Sequence, residues 1–267
     1  MQSFYEAMAL EGGEKGVFQG SLDGSWYQGR AGFGGVVAAA MVRAMQRSLA
    51  APEFGLKALG MSFCAPVLAE PFEVKVEVVR RGSSVINVLA RLVQAGEVKT
   101  LGTGAFGRWR ESDADFAGGE MPQVPGPQEV PTVPFNPLFP KFAQHFEYKF
   151  CYGGIPYSGG EEASVGGWCR VKEFEEPLDQ AHAVALLDIG PPAILSRGSQ
   201  PRPSATVSWQ VVFTEELPRK GAKAGEFLLV TVETERCTGG FAEERATLWS
   251  EEGRCLARAL QSVAIFG

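Results

Sequence analysis

Aspartate is scarce in this chain, with Asp23, Asp113, Asp115, Asp179 and Asp188 making up the whole set. Histidine is scarcer still, with only His145 and His182. Four of the aspartates fall in polar or turn-like surroundings, and Asp179 follows Pro177-Leu178 at the position of a helix N-cap. Asp188 is different. It ends the apolar run Ala183-Val-Ala-Leu-Leu187 and precedes Ile189-Gly190-Pro191-Pro192, on an element expected to be buried. A carboxylate there needs hydrogen bonds to offset its desolvation, or its pKa rises. Two readings fit: a cap on the turn at Gly190, or a general base poised over a water. Thr206 and Gln261 are the other polar residues of interest. Each lies in a strand-like run, and an amide beside Val263, Ala264 and Ile265 calls for a buried partner.

Other chemistries find no support in the residues. There is no Gly-x-Ser-x-Gly elbow, no His-Glu-x-x-His and no P-loop, and two histidines leave little room for a Ser–His–Asp triad. Gly102-Thr-Gly-Ala-Phe-Gly107 fits Gly-x-Gly-x-x-Gly, but the chain continues towards a proline-rich stretch instead of the helix that pyrophosphate binding requires. The five cysteines have no Cys-x-x-Cys spacing, so neither structural zinc nor a disulfide framework is expected, and no metal is assigned. A net charge of −6 gives no footprint for nucleic acid. No membrane span or signal peptide is visible, and a reduced cytoplasm is the expected location.

The elements that must hold these residues repeat. Gly34–Leu49 reads as a helix, followed by strands at Lys57–Cys64, Phe72–Val79, Val85–Val93 and Val98–Phe106. After the divide, Leu178–Leu187 reads as a helix, with strands at Ala205–Phe213, Phe227–Glu235, Phe241–Trp249 and Cys255–Phe266. The endings Ala105-Phe106-Gly107 and Ile265-Phe266-Gly267 also correspond. One helix followed by a four-strand antiparallel meander, twice, is an internal duplication. The halves are expected at 1–110 and 144–267. Residues 111–143 form a linker rich in proline, with Glu111, Asp113 and Asp115 at its start. Each sheet is expected to wrap around its own nearly apolar helix, giving an α+β fold, with edge strands of the halves able to pair.

This arrangement resembles the double-hotdog acyl-CoA thioesterases, the thioesterase II family and its relatives. The resemblance spans nearly the whole chain. In the first repeat it rests on Phe33-Gly34-Gly35, Ser62-Phe-Cys-Ala-Pro-Val67 and Arg80-Arg-Gly-Ser-Ser84. In the second it rests on Leu187-Asp188, Ala205-Thr206-Val207, Gly240-Phe241, Leu248-Trp249 and Leu260-Gln261. It implies that Asp188, Thr206 and Gln261 hold a hydrolytic water, with an acyl-CoA as substrate and no cofactor beyond the coenzyme A of that substrate. A role in fatty acid metabolism follows. Gly34 and Gly35, opening the first helix, become candidate donors to the thioester carbonyl; plain close packing of helix on sheet explains them equally well. Gly240 and Phe241 become candidate substrate contacts, although Gly239 stands where well-characterised members carry an arginine. Arg197 and Arg202, in the loop between Asp188 and Thr206, are candidates for the coenzyme A phosphates. A homo-oligomer, dimer or tetramer, is expected. Two other functions remain open: a non-catalytic acyl or acyl-CoA binding protein, and an enoyl-CoA hydratase, for which an Asp and His on one helical face are missing.

Overall fold

The computed structural model describes residues 1–266 except 111, 118, 173–175 and 221. Glu111 of the expected acidic patch and Gly267 of the repeated ending lie outside the described residues. The first half begins with a short helix α1 (Phe4–Met8), capped by Ser3 and Glu6 in a reciprocal box. Short strands β1 (Glu11–Gly12) and β2 (Val17–Ser21) and a small ribbon, β3 (Tyr27–Gln28) with β4 (Ala31–Gly32), lead into helix α2 (Gly34–Leu49). Strands β5 (Gly55–Phe63), β6 (Pro71–Arg81), β7 (Val85–Gln94) and β8 (Glu97–Gly107) follow. The second half contributes β9 (Phe146–Gly153), β10 (Ser164–Val171), helix α3 (Gln180–Leu187), then β11 (Ser204–Phe213), β12 (Leu228–Thr238), β13 (Phe241–Trp249) and β14 (Cys255–Ile265).

Twelve strands make one antiparallel sheet in the order β1-β2-β6-β7-β8-β5-β11-β14-β13-β12-β10-β9. The expected pairing between the halves is the β5–β11 ladder, from Ala58↔Val212 to Ser62↔Ser208. Two expectations need correction. The strands after each helix are not a four-strand meander: β5 pairs with β8, and β11 with β14, so the first strand after each helix lies beside the last. That placement puts β5 and β11 at the centre, where each half covers the other's edge. Each helix is also preceded by strands, β1 and β2 in one half and β9 and β10 in the other, so the repeat is longer than the sequence pattern suggests.

Both helices lie in the core. Every residue of α3 is buried, as are eleven residues of α2 from Gly35 to Leu49. They pack antiparallel: Arg43 and Gln46 of α2 meet Asp179 and Gln180, while Gly35 meets Ala185. Gly102 and Gly104 of β8 leave room for α2, since a Cβ on either would fall about 3 Å from the Met41, Met45 or Met61 side chains. This packing explains the glycine repeat that resembles a dinucleotide fingerprint. The proline-rich stretch does more than span the halves. Met121, Val124 and Val130 cover Trp168, Leu229 and Trp249 on the outer face of the second half's sheet, and the Trp168 indole donates to the Pro125 carbonyl at 2.8 Å.

Candidate active site

Asp188 is the C-cap residue of α3, with φ −100° and ψ 0°. The antiparallel helix pair brings it to the first turn of α2, which belongs to the other half. A Cβ on Gly34 would stand 2.8 Å from Asp188 Oδ2, so glycine is the residue that allows the carboxylate to reach the helix start. The Gly35 N–H donates to the carboxylate. A side chain at Gly35 would also strike the Phe33 ring and the Ala185 carbonyl. Close packing explains both glycines, and that packing is what brings the Gly35 amide to Asp188.

Gln261 is buried and donates from Nε2 to Asp188 Oδ1 at 3.4 Å. Thr206 donates its hydroxyl to Gln261 Oε1 at 2.8 Å. With the amide oxygen committed to Thr206, the nitrogen must face Asp188. A bulge in the β11–β14 ladder, between Thr206 and Ser208, places Thr206 beside Gln261. The chain Thr206–Gln261–Asp188–Gly35 thus runs from β11 across β14 to α3 and into the other half. Burial pushes the Asp188 carboxyl up to about 7, while the bonds from Gln261 and Gly35 pull it down.

The remaining candidates lie apart from this chain. Gly240 forms the β12–β13 turn with Gly239, both at positive φ, and its carbonyl accepts from the Ile265 N–H at 2.8 Å. The two consecutive positive φ angles are the structural reason for the glycine pair. Phe241 is 52% exposed at the start of β13. Arg197 and Arg202 are exposed in the segment leading to β11. His145 stacks on Trp26, with ring centroids 3.8 Å apart, and the His182 ring meets Asp179 Oδ1 at 2.6 Å. Among the described residues, no group of three His, Cys, Asp or Glu could hold a metal ion. All five cysteines are free thiols, and no described helix is long and apolar enough to cross a membrane.

The structure also shows what surrounds the site. The Phe63 ring would touch a Cβ on Gly34 at 3.4 Å, so it borders the carboxylate. Tyr148, Phe150, Ile189, Pro191, Val230 and Val232 line an apolar cavity beginning at the residue after Asp188. Glu244 is 3% exposed on β13, directly across the ladder from Gln261. A signal for Glu244 did exist, since the alternation Ala242, Glu244, Ala246, Leu248 places it on the apolar face.

Comparison with known proteins supplies the family. The model of the acyl-CoA thioesterase N-terminal domain matches residues 22–107, and that of the C-terminal domain matches residues 117–265. The chain belongs to the acyl-CoA thioesterase family. It is a thioester hydrolase with the double-hotdog fold. A hot dog fold protein of unknown function from Alicyclobacillus acidocaldarius is similar at 28% identity and a TM-score of 0.89, covering 99% of this chain and 98% of its own. An acyl-CoA thioesterase II from Mycobacterium marinum has the same fold at 19% identity and a TM-score of 0.77, with 98% of both chains covered. A tesB protein from Mycobacterium avium subsp. paratuberculosis is similar at 17% identity and a TM-score of 0.80, covering 99% and 98%. The search of curated proteins found no match.

Proposed function

We propose that this thioesterase hydrolyses an acyl-CoA to the free acid and coenzyme A by direct attack of water, with Asp188 as general base. One observation carries the reading: a carboxyl raised to about 7 meets an oriented amide and a helix start within a single hydrogen-bonded chain. A base with a pKa near the working pH combines sufficient ionisation with sufficient basicity. Asp188 takes the proton, the second N–H of Gln261 donates to the water oxygen, and Thr206 holds the amide in register. The Gly35 N–H, at first a candidate donor to the substrate carbonyl, is occupied by Asp188. Gly34 and the helix start around it are the donors for the developing oxyanion, where the dipole favours negative charge.

Arg197 and Arg202 meet the coenzyme A phosphates. The units are residues 1–110 and 144–267, joined by 111–143. No cofactor takes part, the protein works in the cytoplasm, and it assembles as a dimer or tetramer. The test is release of free thiol from acyl-CoAs of graded chain length. Asp188→Asn is expected to lower kcat about 10³-fold. Full activity in that variant defeats the mechanism, and saturable binding without turnover in the native protein favours a binding role instead.

A further inference from the structure

Glu244 has no place in the mechanism above, yet it is the second buried carboxyl of the region. It sits on the inner face of β13, opposite Gln261, and its Oε2 accepts the Ala193 N–H at 2.8 Å. Ala193 opens the short 3-10 turn Ala193–Ser196, five residues beyond Asp188 along Ile189-Gly190-Pro191-Pro192. The Glu244 bond ties that connection to β13, while the Tyr157 and Gly160 N–H groups, donating to the Leu195 and Ser196 carbonyls, tie the turn to the β9–β10 connection. The turn is further closed by Ser196, whose hydroxyl donates to the Glu162 and Ala193 carbonyls.

We propose, resting on the thioesterase reading above, that Glu244 is a positioning residue acting through Asp188: its carboxyl clamps the Ala193 amide and so holds the segment that carries Asp188 against β13. The groups facing it are the Gln261 amide from β14, the Asp188 carboxylate from the end of α3 and the Ala193 amide. The β12–β13 ladder is irregular between Glu233 and Arg236, so Thr234 and Glu235 lie across from it, and Glu235 pairs with Arg245. Glu243 and Arg245, its neighbours in β13, pair with each other on the outer face. Asp188 is therefore the charge that matters to Glu244.

The electrostatics add a signature that a purely structural clamp lacks. Burial pushes Glu244 up to about 8; the Ala193 bond opposes the rise and the Asp188 charge adds to it. Two buried carboxyls that feel each other's charge do not both ionise cheaply. Through the neutral range Asp188 ionises while Glu244 remains protonated and still accepts the Ala193 bond. Above about pH 8 Glu244 adds a second negative charge that acts on Asp188 and opposes the oxyanion.

The experiment compares the full-length protein with Glu244→Gln and Glu244→Ala, by thiol release from pH 5 to 10 and by hydrogen exchange of a peptide spanning 189–196. The native kcat/KM is expected to form a narrow bell. Glu244→Gln keeps an acceptor for Ala193: its maximum stays within about threefold of native, and its descending limb disappears. Glu244→Ala loses the clamp: kcat falls at least tenfold, KM changes less than threefold, and the peptide exchanges at least tenfold faster. Native exchange and turnover in Glu244→Ala overturn the proposal, as does a descending limb that persists in Glu244→Gln. Exchange needs no substrate, so a native protein inactive on every acyl-CoA removes the thioesterase reading while the clamp is still judged by the peptide.

Discussion

The two halves set different side chains at equivalent positions. Asp188 is the eighth residue after Gln180, the first of α3, and Val42 is the eighth after Gly34, the first of α2. The bulges give a second ruler. Leu56 precedes the irregularity in the β5–β8 ladder as Thr206 does in β11–β14, and Gly104 faces Leu59 as Gln261 faces Trp209. So where the second half has Asp188, Thr206 and Gln261, the first has Val42, Leu56 and Gly104. A Cβ on Gly104 would lie 3.4 Å from the Leu56 side chain and 3.0 Å from Met45 sulfur, so apolar packing fills the place of the Thr206–Gln261 bond.

The helix starts differ in the matching way. The α2 start has glycines and receives Asp188. At the α3 start, Gln180 fills the equivalent place with its own side chain, accepting from the Leu56 N–H at 2.9 Å and donating to the Leu56 carbonyl at 2.8 Å. One end of the helix pair is thus sealed by an amide bonded through both its oxygen and its nitrogen, and the other holds a carboxyl raised by burial. Buried polar groups cost stability unless paired. Of the two helix starts, the one at α2 receives a carboxyl raised by burial, and that is the end to which we assign chemistry.

Substitutions at equivalent positions break this comparison most directly. Gly34→Ala pushes a methyl to within 2.8 Å of Asp188 Oδ2. It is expected to lower kcat by about 10–100-fold, since small misplacements of a catalytic group carry penalties of that order. Steady-state kinetics alongside a thermal melt measure it; unchanged kcat would mean the carboxylate does not work at the helix start. Thr206→Val removes the hydroxyl that fixes the Gln261 amide, and a loss of about tenfold in kcat with an unaltered fold is expected. Leu56→Thr, the reciprocal change in the first half, should leave kcat within twofold. Gln180→Ala affects stability alone. It strands the Leu56 N–H and carbonyl, at a cost of about 2–4 kcal/mol, while thiol release per folded molecule stays native.

The asymmetry was only partly legible in the sequence. Periodicity located α2, α3 and the eight strands following them because each buries one face or stripe, and burial writes itself into local order. Strand order was not legible. Pairing β5 with β8, and β5 with β11, joins segments far apart in the chain, and nothing in either segment names its partner. The strand β10 was hidden by Gly166-Gly167, which resemble a turn. A Cβ on Gly167 would fall 2.1 Å from the Lys149 carbonyl, so these glycines answer a close approach of β9 within the sheet. Asp188 was conspicuous as a carboxylate at the end of an apolar helix. Its bond to Gly35 was not, because the amide comes from the other half.

The smallest expected effect concerns stability and separates the two ends without any substrate. The Asp188 carboxyl rises from an ordinary 3.8 to about 7 through burial. Between those values the unfolded chain has released the proton and the native chain still holds it. The native state therefore loses stability as pH rises through that window, and above 7 it bears the whole cost of an ionised, part-buried carboxylate. An asparagine side chain in its place would carry no such cost and could still accept from Gln261 through its amide oxygen. Asp188→Asn is therefore expected to melt about 2–6 °C above the native protein at pH 8, and level with it near pH 4. Gln180→Glu, at the sealed end, should change in the opposite sense: introducing a charge opposite the Leu56 carbonyl lowers the melting temperature at pH 8 and less at pH 4. Melts that do not diverge with pH in Asp188→Asn would mean that the carboxyl is already well solvated, and a general base poised near neutrality would then lose its physical ground.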